Sequence, residues 1–320
     1  MAYPKAVLAQ LTSASLECAS HDALIIISDD FSKLPNNSLR DAVLAQSKID
    51  ARIGKQVTLL VIDNKRVILA PTGPLNRDYD DVRRYFDAAK LAINEAKLSG
   101  SVNPALFLPS LSGDSRYQYA LEVAFLGMCQ ALWQPLEARE HHGEGIEPIA
   151  TIGLINASSQ TVKAVNAIAA GQYAARDLCG TEPERMAPPR FADYCVDLFK
   201  GTNIAVDVID NIADIDKNYP MLSTVARASY SVERHHPRVV KLEYVPEGEV
   251  TRTLMFVGKG LVYDTGGADL KVGGYMAGMS RDKGGAASVA GFMKAVADYQ
   301  PKGVKVIAYL AVVRNSIGSD

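Results

Sequence analysis

Three segments near the carboxyl end constrain the fold most. RTLMFVGKGLVYD (252–264) and VKVIAYLAVV (304–313) are long apolar runs of strand character, and GGAASVAGFMKAVADY (284–299) between them reads as a small-residue helix. Strand, helix and strand in that order predict an α/β layer architecture. Its sheet is mixed or parallel, with helices on both faces. Upstream, the same half holds a helix opened by prolines in MAPPRFADYCVDLFKG (186–201), a strand in TNIAVDVID (202–210), a short helix in YPMLSTVARASY (219–230) and a strand in RVVKLEYVP (238–246).

The first half alternates in the same manner. HDALIIISDD (21–30) reads as a buried strand closed by acids, and residues 38–53 as a helix. KQVTLLVIDNKRVILAPTG (55–73) splits at Asp63-Asn64-Lys65, as a hairpin does. YDDVRRYFDAAKLAINEAKLSG (79–100) has helical spacing and a closing Gly100; PALFLPSL (104–111) is a strand; YQYALEVAFLGMCQALWQPLEA (117–138) is one apolar helix. A polar link, EAREHHGEGIEP (137–148), leads into the strand IEPIATIGLI (146–155), and a helix runs from Ser159 to Leu178. At 320 residues the chain suits two domains, 1–160 and 161–320.

With 48% hydrophobic and 22% charged residues, this is the composition of a folded soluble protein. A net charge of −2 without a basic block gives no reason to expect a nucleic-acid partner. The amino terminus has neither the charge pattern nor the apolar core of a signal peptide, and no run has the length of a membrane span, so no membrane association is expected. Cys18, Cys129, Cys179 and Cys195 are scattered without metal-ligand spacing, which suits buried thiols in a reducing cytoplasmic compartment. There is no HExxH, no GxSxG and no P-loop. The pairs His141-His142 and His235-His236 fall in polar links and are expected to be exposed, which argues against histidine-bound zinc.

The chemistry is concentrated in VGKGLVYDTGGADLKVGGYMAGMSRDKGG (257–285). The strand delivers Asp264 to its carboxyl end, where sheets of this class place ligands. Lys259 lies five residues before it, Lys271 seven after it, and Asp282 stands just before a helix. Carboxylates brought together need neutralising, by lysine or by a divalent ion. Taken singly, each residue also has an ordinary explanation. Asp282 could cap its helix, Asp264 could serve a turn, Lys259, Lys271 and Asp269 could be solvated, and Met276 and Met279 could pack a loop.

Taken whole, the string closely resembles the leucyl aminopeptidase family, the M17 metallopeptidases. The resemblance rests on Gly258-Lys259-Gly260, Tyr263, Asp264-Thr265-Gly266-Gly267, Lys271, Met279, Asp282 and Gly284-Gly285-Ala286-Ala287, in family spacing. AARDLCGTEPERMAPPRFA (174–192) and RASYSVERHHPRVVKLEY (227–244) resemble the start of that family's catalytic domain. It implies an α/β metallopeptidase domain with a central mixed sheet over 161–320, behind an N-terminal α/β domain. It implies Lys259, Asp264 and Asp282 as metal ligands and Lys271 as the group that polarises the substrate carbonyl. Met279 would line the pocket for the first side chain. It further implies peptide substrates, a water activated by two divalent cations per subunit, manganese or zinc with magnesium also possible, and a homo-hexamer.

The sequence departs from the family at Tyr263, at Arg281 and Lys283 around Asp282, and at Val313-Arg314-Asn315, where the family has Ala-Glu-Asn. The family's NTDAEGR motif, which supplies further acidic ligands and an arginine, is expected beyond Asp320, making the catalytic domain incomplete at its carboxyl end. The basic departures and that missing motif motivate an alternative: a weakly active or inactive relative with a structural or binding role.

Overall fold

The computed structural model describes residues 6–12, 20–35, 38–109, 113–143 and 146–317. Cys18 lies outside them. The described residues divide into two compact units, one within 6–134 and 146–169 and the other within 135–143 and 170–317.

In the first unit the strands are β1 (Leu8–Thr12), β2 (Ala23–Ser28), β3 (Thr58–Ile62), β4 (Lys65–Pro71), β5 (Pro104–Phe107) and β6 (Thr151–Ile155). The helices are α1 (Ser38–Ser47), α2 (Arg83–Leu98) and α3 (Ala120–Leu132). The sheet order is β1-β6-β5-β2-β4-β3, and every pair is parallel except β3 with β4. Central β2 is apolar without alternation, as a strand covered on both faces must be, and Ile25, Ile26 and Ile27 have no exposure. Asp63 and Asn64 both take positive φ, 50° and 60°, so the β3–β4 hairpin turns in the primed sense that matches strand twist. Helix α2 buries Tyr85, Ala88, Ala89, Ala92, Ile93 and Ala96 along one face.

Helix α4 (Leu136–His142) belongs to the second unit, and α5 (Ser159–Gly180) passes from the first unit into it. There follow α6 (Pro188–Phe199), β7 (Ile204–Ile209), α7 (Ile212–Asn218), α8 (Pro220–Ala226), β8 (Arg238–Tyr244), β9 (Arg252–Asp264), α9 (Gly284–Tyr299) and β10 (Val304–Asn315). The four-stranded sheet has the order β7-β8-β10-β9; β8 is antiparallel to both neighbours and β9 is parallel to β10. Phe191, Tyr194 and Phe199 of α6, Ala286, Ala290 and Met293 of α9, and Val240, Leu242, Ala308 and Leu310 of the sheet form its core.

The α/β class with a mixed sheet therefore holds. Four local expectations need correction. The segment 117–138 is two helices, because Trp133 is extended and Pro135 cannot continue α3. The supposed polar link is helical from Leu136 to His142 and stops at Gly143, whose φ is 76°. Helix α1 ends at Ser47, short of residue 53. Helix α7 was not expected, although Asn211 followed by Asp214 is its signal: the Asn211 side chain accepts the Asp214 N–H. Strand β1 had no expectation attached to it.

Candidate active site

β9 and β10 run parallel, so both deliver their last residues to one edge of the sheet. Their register slips near that edge. Val313 pairs with Leu261 and Asn315 with Asp264, so β9 advances three residues while β10 advances two. Such a bulge re-aims the side chains beyond it, and Asp264 is the residue it re-aims. Helix α9 starts at the same edge. It presses closely on β9, since a Cβ on Gly258 would lie 2.5 Å from the Ala286 Cα. That approach carries Asp282, two residues before α9, against Lys259.

Two ion pairs result. Lys259 Nζ is 2.8 Å from Asp282 Oδ2, the lysine side chain being 59% exposed and the aspartate 18%. Lys271 Nζ is 3.3 Å from Asp264 Oδ2. Lys271 also donates to Met279 Sδ at 3.6 Å, and the short turn Met279–Arg281 ends at Asp282. All five residues singled out from the sequence are thus linked around one sheet edge. Asp282 does not cap α9: Lys283 holds the cap position, without a side-chain cap bond. Beyond its ion pair, Asp282 Oδ2 is buried without a hydrogen bond. Asp269 is exposed.

Burial acts to raise the Asp264 carboxyl, but hydrogen bonds from Asn315 and Lys271 and the Gly266 N–H outweigh it, leaving Asp264 below the usual carboxylate value. Lys283 is fully buried, and its Nζ donates to Ser280 O at 2.7 Å. Burial pushes it down to about 8. Arg281 is exposed.

Arg314 is also accounted for. Its Nη1 donates to Glu184 Oε2 at 2.8 Å, and its guanidinium lies 5.6 Å from the centre of the Tyr263 ring. Glu184 further accepts from Arg234 Nε, and its Oε2 is 3.0 Å from His235 Nε2. Burial would raise Glu184, yet these partners hold it at about 2. Here the sequence reading fails: His235 is fully buried. Its burial is stabilised by Glu184, 51 residues away, and no spacing in the sequence signals that contact. His141 and His142 are exposed as expected.

Residues 173–320 match the model of the cytosol aminopeptidase family, catalytic domain. Residues 173–320 belong to the cytosol aminopeptidase family. A Caenorhabditis elegans protein named as aminopeptidase W07G4.4 is 43% identical over 270 residues, covering 82% of this chain and 51% of its own length. A protein named as a cytosol aminopeptidase from Parasynechococcus marenigrum is 29% identical over 283 residues, covering 86% and 56%. The chain thus spans about half the length of the curated relatives it matches. Leucyl aminopeptidase from Trypanosoma cruzi shares the fold with a TM-score of 0.77 at 19% identity, over 99% of this chain and 64% of that one. The bottromycin maturation enzyme BotP, in complex with Mn, gives 0.72 at 21% identity, over 93% and 61%.

Among the described residues no group of three or more histidine, cysteine, aspartate or glutamate side chains is placed to hold a metal. Two carboxylates and one lysine amine are nevertheless donors of a kind that a divalent cation accepts, and the buried, un-hydrogen-bonded Oδ2 of Asp282 is an atom such a cation would satisfy. Each carboxylate is neutralised here by an ammonium group, and a bound cation would supply that positive charge instead. No helix among the described residues is long and apolar enough to cross a membrane.

Proposed function

We propose that the edge formed by β9, β10 and the start of α9 is part of the catalytic centre of a metal-dependent aminopeptidase that releases N-terminal residues from peptides. The supporting observation is the linkage of Lys259–Asp282 and Lys271–Asp264 at one sheet edge, within a stretch that belongs to this family. Asp264, Asp282 and Lys259 would hold divalent cations, Lys259 as a neutral amine whose proton leaves on binding. Such cations supply polarisation of a carbonyl and a more acidic bound water. Lys271 keeps its ammonium facing the reacting carbonyl and stabilises negative charge developing on that oxygen. Met279 accepts a hydrogen bond from Lys271 Nζ and offers an adaptable apolar wall to the first side chain. Two cations per subunit, manganese or zinc with magnesium acceptable to oxygen donors, a homo-hexameric assembly and a cytoplasmic setting complete the reading.

The opposing reading of an inactive relative is weakened on one of its two grounds, the basic departures. Lys283 donates to Ser280 O, Arg314 is paired with Glu184, and Arg281 is exposed. The test is release of leucine from a leucyl reporter amide by the longest natural polypeptide, over a series of manganese, zinc and magnesium. Metal-dependent release is expected; none with any metal would falsify the proposal.

A further inference from the structure

We infer that Asn315 is a positioning residue: its carboxamide holds Asp264 in the orientation that receives a cation. This rests on the reading of Asp264 as a metal ligand. Asn315 Nδ2 donates to Asp264 Oδ1 at 2.8 Å, and the Gly266 N–H donates to the same oxygen at 3.1 Å. Oδ1 therefore has both donors it can readily take. Among the described residues Oδ2 meets the Lys271 ammonium and has no hydrogen bond from the amide or from Gly266, so it is the oxygen left for a cation.

The orientation of the amide is forced. An ionised carboxylate only accepts, so the NH2 group must face Asp264. The amide oxygen then lies over Gly267, where a Cβ would come within 2.2 Å of it and φ is 64°. The main chain of Asn315 is fixed as well. Its carbonyl accepts from Thr265 N and from Thr265 Oγ1, both at 3.0 Å. On either side, the Ser229 hydroxyl reaches the carbonyls of Arg314 and Ser316 at 2.9 and 3.0 Å. A side chain this constrained holds its acceptor without paying for reorganisation when a cation arrives, which is how outer partners of metal ligands act.

The experiment is calorimetric titration of Mn2+ into the full-length polypeptide, comparing wild type with Asn315→Ala, Asn315→Leu and Thr265→Ala. The leucine variant keeps the volume and loses only the polar groups. The threonine variant loosens the same turn and leaves the amide in place. Both Asn315 variants are expected to bind Mn2+ about 10–100-fold more weakly. Thr265→Ala should lose less than about threefold, well below that range. Wild-type affinity in the Asn315 variants overturns the inference alone. An equal loss in Thr265→Ala assigns the effect to the turn and also overturns it. Failure of both Asn315 variants to fold while Thr265→Ala folds makes Asn315 a folding residue and has the same consequence. Absence of Mn2+ binding in the wild type overturns the metal reading of Asp264 together with this one.

Discussion

Asp80 and Asp282 are both acids turned inward against cations, one in each unit. Asp80 is 2% exposed, and its oxygens accept from Arg77 N, Arg77 Nε and Nη2, and Arg84 Nε, at 2.7–3.1 Å. Its partners lie three and four residues away, and its hydrogen-bonding capacity is spent. Asp282 meets a lysine 23 positions earlier in sequence, and the oxygen that meets it has no hydrogen bond. A carboxylate saturated by its own turn fixes local structure. One brought in from another element and left unsaturated has capacity for a ligand. Asp264 is intermediate, with one oxygen held by Asn315 and Gly266 and the other facing Lys271.

That contrast can be broken by experiment. The largest effect is expected from Asp282→Ala, which should lower kcat/KM on a leucyl reporter by about 10³-fold, the scale of losing a group that organises transition-state charge. Activity within tenfold of wild type would erase the distinction drawn between the two acids. Next is Lys283→Met. The buried ammonium beside Asp282 donates to one carbonyl, and a buried charge short of partners carries a desolvation cost that an apolar side chain of similar volume avoids. A higher urea midpoint at neutral pH is the expected result; a lower one would show that the bond to Ser280 outweighs desolvation.

A smaller effect concerns pH. Burial holds His235 below its ordinary value of 6.5, with Arg314 and Arg234 acting in the same direction and Glu184 opposing. The unfolded chain therefore takes up a proton near 6.5 that the folded chain refuses. Stability is full above that pH and is lost as pH falls through it. Glu184, at about 2 instead of 4.5, adds a second loss as pH falls below 4.5. In His235→Gln the upper step should vanish and the lower remain when urea midpoints are measured from pH 8 to pH 4; persistence of the upper step would assign it elsewhere. The smallest catalytic effect is expected from Asp80→Asn, which should lower the melting temperature yet leave kcat/KM within about twofold, since the partners that saturate Asp80 lie in its own turn and helix and share nothing with Asp264 or Asp282. A tenfold loss would mean that saturation does not separate structural acids from functional ones.

Much of this molecule was readable in advance. The segment 284–299 became α9 with the same limits, and the split at Asp63-Asn64 became a hairpin with both residues at positive φ. These signals are local, set by periodicity and turn chemistry. The reading failed where a proline outweighed apolar continuity, at Pro135, and where polarity was taken for a loop, at 137–142. It failed also at His235, whose burial depends on Glu184 and Arg314 arriving from other elements.

The sequence by itself indicated most strands and helices of both units, with α4, α7 and β1 the exceptions, because periodicity and turn chemistry are local. The resemblance of one segment to a family singled out Lys259, Asp264, Lys271, Met279 and Asp282. Only the tertiary structure decided the partners. Asn315 meets Asp264 across 51 residues, and Arg314 meets Glu184 across 130. The parallel pairing of β9 with β10 and its one-residue slip bring Asn315 to Asp264, and a register between strands distant in sequence is fixed by packing of the whole sheet, not by either strand alone.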